Sequence, residues 1–358
     1  MKVLVVTGAS GGHIYPALAF IDELKINERI KEILLVLPSR SRGLSFFEEK
    51  YQIRRISSAV VRLSLSKKGL LSLLSFLKEA YESLLIFFKF KPDVIVGFGS
   101  SDSVPLVMLG WFFRIKTIIH EQNVVPGRAN SFLARFVDKI AVSYPQSFSY
   151  LKHYKDKLFL TGIPLRKTLK KIKKEEARKI LGLAKDNFTV LVIGGSQGSR
   201  RLNSVVVDTL SSFENSNMQI IHLTGREDYE IVLESYKENK VNAKVFSFFE
   251  EMGLLYSSAD FVICRAGAVT LAEIIYFKLP SLIVPYPYAY QHQFLNANIL
   301  KQVGAAVLVE DSVFNKEYLA TFLKESLLDT KKIEQMRKGF EKISFNTETS
   351  LLVELVVN

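Results

Sequence analysis

The chain has 358 residues, enough for two α/β domains that each bury their own interior, and too many to sit comfortably on a single core. Its formal charge of +12 calls for an acidic partner, such as phosphate, anionic lipid or nucleic acid, without choosing among them. A single cysteine, Cys264, excludes an internal disulfide and points to a reducing compartment, and five scattered histidines argue against a structural zinc site.

The first apolar run, Val3 to Val6, is too short for a signal-peptide core, which predicts a cytosolic protein. It leads into Thr7-Gly8-Ala9-Ser10-Gly11-Gly12-His13 and then a helical pattern, so it reads as strand, tight turn and helix start. Such a turn points backbone N–H groups at an anion from the positive end of a helix dipole. Further strand-length runs follow at Ile33 to Leu37, Val94 to Val96, Thr117 to Ile119 and Ile140 to Val142. Alternating with helical patterns, they predict a parallel sheet covered on both faces.

Residues 70 to 90 stand apart. Leu70, Leu73, Leu74, Leu77, Tyr81, Leu84, Leu85 and Phe88 make one helical face, with more apolar residues beside it than a core-facing stripe needs. Lys78, Glu79 and Glu82 interrupt the run, which excludes a membrane span. Flanking Lys67, Lys68, Lys89 and Lys91 suit a helix lying on an anionic bilayer; the competing reading is a deeply buried helix with solvated ends. Trp111-Phe112-Phe113 with Arg114 and Lys116 forms a second apolar and basic cluster, and the two together favour a membrane face.

Gly162-Ile163-Pro164 marks the domain boundary, followed by a basic stretch from Arg166 to Lys179. Most of that stretch reads as a solvated helix face, whereas Arg166, at the hinge, is expected to face a cleft. The second half repeats the strand pattern at Thr189 to Ile193, Gln219 to Leu223, Ala243 to Phe246, Phe261 to Cys264, Ser281 to Val284 and Ala306 to Val309. Its first strand runs into Gly194-Gly195-Ser196-Gln197-Gly198-Ser199, a second glycine loop at the matching place. A lone glycine loop also serves ordinary strand-to-helix connections, but one per half suggests a bilobal protein holding a phosphorylated ligand.

Arg265-Ala266-Gly267-Ala268-Val269-Thr270-Leu271-Ala272-Glu273 opens another helix directly after a strand. Thr270 and Glu273 share a face, and a carboxylate one turn beyond a phosphate site can accept both hydroxyls of a ribose. Gln293 and Asn296, again three apart, carry amides suited to sugar hydroxyls. From about Lys331 the chain reads as helix.

Taken together these segments resemble the family of UDP-N-acetylglucosamine transferases that add the second sugar to lipid I, giving lipid II for peptidoglycan. The resemblance rests on Gly11-Gly12-His13 through Pro16-Ala17-Leu18-Ala19, on His120-Glu121-Gln122-Asn123 with Pro126-Gly127 and Asn130, and on Gly162-Ile163-Pro164-Leu165-Arg166. It continues through Gly194-Gly195-Ser196-Gln197-Gly198, Arg265 to Glu273, and His292-Gln293 with Asn296-Ala297. It implies an α/β fold of two Rossmann-like doubly wound parallel-sheet domains facing a central cleft, the GT-B glycosyltransferase architecture. The implied domains are an acceptor- and membrane-binding domain over 1–162, a UDP-sugar-binding domain over 163–340, and a C-terminal helix, 341–358, crossing back to the first domain.

The donor contacts implied by the family fall on Ser10, Gly11, Gly12, Asn123, Arg166, Ser196, Phe249, Ala268, Val269, Thr270, Leu271, Ala272, Glu273 and Gln293. Among these, the backbone at Phe249 meets the uracil, Glu273 the ribose and Gln293 the N-acetylglucosamine. One loop departs from the pattern: Gly-x-Gly-Gly-Tyr-x-Ser is here Gly97-Phe98-Gly99-Ser100-Ser101-Asp102-Ser103. Gly99, Ser100, Ser101 and Ser103 remain acceptor-site candidates.

The reaction implied is an inverting single displacement, which needs a base at the attacking hydroxyl and stabilisation of the departing diphosphate. His13, at the mouth of the first loop, is the candidate base or its close partner, with Asp102 second. The chain has no Asp-x-Asp motif, so helix N-termini, Ser196 and Arg166 are expected to carry the leaving-group charge. No metal or other cofactor is required on this reading, stimulation by Mg²⁺ being left open. The expected partners are UDP-N-acetylglucosamine, lipid I, an anionic membrane surface at the cytoplasmic face of the plasma membrane, and other cell-wall synthesis proteins, with no nucleic acid.

Two readings compete from other classes. A short-chain dehydrogenase would use Thr7-Gly8-Ala9-Ser10-x-Gly12 with Arg40 and Arg42, but Ile14 replaces its last glycine and the second loop is left unexplained. A non-catalytic nucleic-acid binder fits the charge, yet the lysines lack interleaved aromatics. A transferase of the same fold acting on another membrane glycolipid is the alternative within the class.

Overall fold

The computed structural model describes residues 1–41, 49–58, 67–195, 198–211, 217–288, 292–327, 330–343, 345 and 349–358. Two compact units emerge, one built from residues 1–166 with 346–358 and the other from 167–345.

The first unit holds seven parallel strands: β1 (Lys2–Val6), β2 (Glu32–Pro38), β3 (Ile53–Ile56), β4 (Val94–Gly97), β5 (Lys116–Glu121), β6 (Lys139–Val142) and β7 (Leu158–Leu160). Their order is β3-β2-β1-β4-β5-β6-β7, so β1 lies between β2 and β4, with Val3 opposite both Ile33 and Val94. Alternate residues of β1 feed two different cores. Val3 and Val5 pack with Ile14, Phe20 and Val96, while Leu4 and Val6 pack with Val36, Phe87, Ile95 and Leu106. This two-sided burial is why the strands read as unbroken apolar runs.

Sequence patterning missed β3 and β7. Both are short edge strands: Arg54 and Arg55 of β3 are exposed, and β7 buries only Leu158 of its three residues. Neither shows the continuous apolar signal of a central strand.

The chain's last helix, Ser350–Val357, belongs to the first unit and places Leu352, Val353, Leu355 and Val356 in the core beside Val3 and Ile14. Lys116 Nζ donates to the Val356 carbonyl at 3.1 Å, Lys139 Nζ to Leu355 at 3.2 Å and an Arg29 N–H to Val357 at 3.4 Å. Three cations thus satisfy the carbonyl end of this helix. Lys116 is therefore turned toward the helix and does not join Arg114 beside the aromatic cluster.

The second unit repeats the design with β8 (Phe188–Ile193), β9 (Met218–Leu223), β10 (Ala243–Phe246), β11 (Phe261–Cys264), β12 (Ser281–Ile283) and β13 (Ala306–Leu308). The parallel order is β10-β9-β8-β11-β12-β13. Within the basic stretch before this sheet most side chains are exposed, but Arg178 is buried and its guanidinium meets Asp260 at 2.5 Å. That residue departs from the solvated-face expectation because Asp260 also accepts the Thr189 N–H and needs a buried counter-charge.

Candidate active site

In each sheet the strand order reverses between neighbours that both leave from the middle: β1 and β4 in one unit, β8 and β11 in the other. Loops diverge at the carboxyl ends of such a pair and leave a crevice, the usual ligand position in open α/β sheets. Ser10 to His13 and Gly99 to Ser103 follow β1 and β4 in the first unit, and Gly194, Gly195, Gly198 and Ala268 to Glu273 follow β8 and β11 in the second; Asn123, Arg166, Phe249 and Gln293 follow β5, β7, β10 and β12.

In the first unit Ser10 caps the Gly11–Leu24 helix, its carbonyl accepting the His13 and Ile14 N–H groups at 3.0 Å each. Gly11 and Gly12 form the first turn, which carries no acidic residue to compete for an anion. His13 Nδ1 lies 2.8 Å from Ser10 Oγ. Gly99, at φ +81°, passes so close that a Cβ there would lie 3.3 Å from His13 Nε2, so only glycine leaves that nitrogen clear. Part of His13 reaches the surface, yet its ring is enclosed. Desolvation is the main reason its pKa falls below the ordinary 6.5; Glu121 and Asp102 push it back up, and Arg40 lowers it.

The segment after β5 braces this loop. Glu121 is buried and accepts the Asn123 backbone N–H at 2.9 Å, Asn123 Nδ2 at 3.1 Å, the Gly127 N–H at 2.9 Å and Asn130 Nδ2 at 2.8 Å. His120 Nε2 is 2.8 Å from the Gly162 carbonyl and must donate to it, so Nδ1 accepts from Gln122 Nε2 at 3.1 Å. Burial holds the His120 pKa at about 4, so the ring is neutral. Assigning a donor role to Asn123 alone overlooked Glu121, the residue that orients it. The signal was present in sequence as a carboxylate two positions before one asparagine and nine before another.

Among the acceptor candidates, Ser101 is exposed, Ser100 is half-buried, and Ser103 is buried with its Oγ donating to the Ser100 carbonyl at 2.8 Å. Ser103 thus closes the turn from within. Asp102 is fully buried and paired with Arg40 at 2.6 Å, which removes it as a candidate base. Arg166 stacks over Tyr15, with its guanidinium carbon 4.3 Å from the ring centroid.

In the second unit Ser196 lies outside the described residues. Its neighbour Gly198 has φ +79°, and a Cβ there would come within 2.1 Å of the Thr224 carbonyl oxygen, so the loop cannot carry a larger residue. Gly267 caps the Ala268–Phe277 helix. Its first intrahelical bond runs from the Leu271 N–H to the Gly267 carbonyl, so the N–H groups of Ala268, Val269 and Thr270 precede that ladder. Leu271 and Ala272 are fully buried, and their side chains serve the core.

Glu273 is buried, which excludes a plain surface role, and Oε2 accepts the Tyr256 hydroxyl at 2.7 Å. Gln293 Oε1 accepts the backbone N–H groups of Ala266 at 3.1 Å and Tyr286 at 2.8 Å. Both lone pairs of that oxygen are committed, so what Gln293 can offer a sugar is donation from its amide nitrogen. Phe249 packs its ring against Phe246 at 4.8 Å. Arg265, the first residue of the Arg265 to Glu273 motif, is buried and ties three loops together. It bonds Ser199 Oγ at 3.0 Å, the Val284 carbonyl at 3.2 Å and Asp311 at 2.5 Å.

The Lys67–Phe90 helix presents an apolar face outward. Leu74, Leu77, Tyr81, Leu85 and Phe88 are exposed, while Glu79 and Ser83 are buried on the opposite side. The expectation of a deeply buried helix fails on that stripe. The side chains of Lys67, Lys68, Leu70 and Leu73 lie outside the described residues. Trp111, Phe112 and Phe113 are also exposed, Phe113 stacking on Phe87 at 5.1 Å.

Residues 3–142 match the glycosyltransferase family 28 N-terminal domain and residues 189–350 the family 28 C-terminal domain. Among curated proteins, the UDP-N-acetylglucosamine–N-acetylmuramyl-(pentapeptide) pyrophosphoryl-undecaprenol N-acetylglucosamine transferase of Thermoanaerobacter sp. (strain X514) is 36% identical over 352 residues, covering 96% of each chain. The protein of that same description from Halothermothrix orenii is 34% identical over 368 residues, 99% of this chain and 98% of its own. The crystal structure of Acinetobacter baumannii MurG shares the fold, with a TM-score of 0.75 at 24% identity, covering 100% of this chain and 99% of that one. Two Rossmann-like sheets of this order are thus the GT-B fold class. With both domain matches in order along one chain and relatives alike over nearly its full length, this chain belongs to the family of UDP-N-acetylglucosamine–N-acetylmuramyl-(pentapeptide) pyrophosphoryl-undecaprenol N-acetylglucosamine transferases.

Proposed function

We propose that His13 is the base in an inverting transfer of N-acetylglucosamine from UDP-N-acetylglucosamine to lipid I, giving lipid II and UDP. The muramoyl 4-hydroxyl attacks the anomeric carbon, the bond from that carbon to the UDP oxygen breaks, and the hydroxyl proton passes to His13. The observation that carries this reading is the ring's setting. Nδ1 faces Ser10 Oγ, Nε2 faces the small Gly99, and the lowered pKa leaves the imidazole neutral near pH 7. With Nδ1–H donating to Ser10 Oγ, Nε2 keeps the lone pair that takes the proton.

The donor belongs to the second unit on this reading. The N–H groups of Ala268 to Thr270 and the loop from Gly194 to Ser199 receive the diphosphate, Glu273 the ribose, Gln293 the sugar, and the backbone at Phe249 the uracil. Ser10, Gly11, Gly12, Asn123 and Arg166 supply the first unit's donor contacts, and the loop Gly99 to Ser103 receives the acceptor. The exposed stripe on the Lys67–Phe90 helix, with Trp111, Phe112 and Phe113 and the exposed Lys89, Lys91 and Arg114, supports peripheral docking on an anionic bilayer at the cytoplasmic face. No helix among the described residues is long and apolar enough to cross a membrane.

The test is UDP release by purified protein from UDP-N-acetylglucosamine, with and without a short-chain lipid I analogue. Release that requires the analogue, with a disaccharide-linked product, is the expected result. Donor binding without turnover would redirect the acceptor to another glycolipid.

A further inference from the structure

Ser100 stands where the family pattern has glycine, and it adopts a backbone that glycine tolerates and serine does not. Its φ is +71° and its ψ +156°, a region that residues with a Cβ avoid. It also packs tightly, since a Cβ on Gly8 would fall 2.5 Å from Ser100 Cβ. Something must hold the backbone there. Ser100 Oγ donates to Asp102 Oδ2 at 2.6 Å, and Asp102 is fully buried. A buried carboxylate needs its own compensation, which Arg40 supplies at 2.6 Å and the Ser58 hydroxyl supplies on Oδ1. The neighbouring Gly99 is the residue that lines His13 Nε2.

We infer that the Arg40–Asp102 pair is a positioning device for the acceptor loop: it holds Ser100 in a glycine-like conformation and so keeps Gly99 against His13. Ser100 in place of the second glycine of the family's Gly-Gly pair and Asp102 two positions on are then one coupled unit, with serine's strain offset by a buried ion pair. Arg40, weighed in sequence as a dinucleotide-phosphate ligand, acts instead through Asp102. The positioning role rests on the acceptor-side reading of this loop; the strain and its compensation do not.

A double-mutant cycle tests it, with the parent, D102N, S100G and S100G/D102N proteins. Each is assayed for kcat and for KM toward UDP-N-acetylglucosamine and a lipid I analogue, and each is melted without substrate. D102N should raise the acceptor KM about tenfold while the donor KM stays within about twofold. On the S100G background, where no strain remains to be held, the same substitution should move the acceptor KM by less than about threefold. Melting should show the same coupling, with D102N lowering the midpoint several degrees more when Ser100 is present than with S100G. Equal effects of D102N in both backgrounds, in KM and in melting, would overturn the inference. Coupled melting with acceptor and donor KM moving together would overturn the positioning role alone. A parent enzyme inactive on the analogue would refute the transfer reading, and melting would still decide whether the pair holds the loop. If D102N does not fold, R40Q, which leaves the carboxylate unpaired, takes its place in the cycle.

Discussion

His13 shows how a neutral imidazole can be secured without a catalytic carboxylate in contact with it. Its ring loses water to the loops around it, and that loss outweighs the pull of Glu121 and Asp102 toward the charged form. In the proposed role the neutral ring is ready to take a proton at pH 7, and activity should fall on acidification as the ring protonates at a pH below 6.5. A pH–rate profile whose acidic limb lies above 6.5 would contradict this. H13A should lower kcat roughly 10²- to 10⁴-fold while leaving UDP-N-acetylglucosamine affinity near that of the parent, as read by calorimetry. Glu273 belongs to the other outcome class. E273A should weaken donor binding, with kcat changing less than KM. Because Glu273 also accepts from Tyr256, a melting curve must accompany the assay to separate ribose contact from packing.

At the scale of elements, the Lys67–Phe90 helix carries two apolar faces: Phe87 and Phe90 are buried with polar Glu79 and Ser83, and a leucine and aromatic stripe lies outward. Such an exposed apolar stripe is what the proposed docking face requires. Replacing Leu85 and Phe88 together by serine should lower binding to anionic phospholipid vesicles by tenfold or more, while turnover of a short-chain soluble analogue persists. Unchanged sedimentation with vesicles would remove the stripe from the docking face. The Ser350–Val357 helix is an element of the opposite kind, short and buried. L352A should cost about 3 kcal/mol by leaving a cavity beside the first sheet, measurable by chemical denaturation. The first was apparent as a periodic apolar segment and the second only as part of a helical end from about Lys331; periodicity alone could not say which faced water, because a leucine stripe looks the same in either setting.

Across the whole molecule, each unit buries a neutral histidine. His120 braces the first, with a pKa of about 4, and His222 the second, at about 3, bonded to Tyr236 at 2.9 Å and Asn203 at 3.1 Å. Both values lie below that of the unfolded chain, so the unfolded state binds more protons once the pH drops under about 6.5. Stability is complete above that pH and declines as the pH falls toward 4 and 3, by about 3 kcal/mol for His120 alone. Denaturation at pH 7.5 and pH 5 should show the decline, and H222Q should flatten it. An identical pH slope in parent and variant would contradict the assignment.

The strand pattern, the two glycine loops and the helix starts were legible because each depends on neighbours a few residues apart. Continuous apolar runs imply burial on both faces, and glycine followed by a helical pattern implies a turn that opens onto a helix dipole. The edge strands β3 and β7 were not legible, since half-exposed pairing leaves little trace in three or four residues. The roles that eluded sequence were those decided by distant partners. Asp102 looked like a free anion in an acceptor loop until Arg40, 62 positions away, was brought to its carboxylate. Lys116 looked like part of a basic rim until the chain's last helix turned its carbonyl end toward it. The sequence by itself determined the class of fold and the places where a glycine turn opens onto a helix, because local spacing controls both. Only the tertiary structure decided which charges are spent internally and which apolar face meets water, because long-range packing sets both.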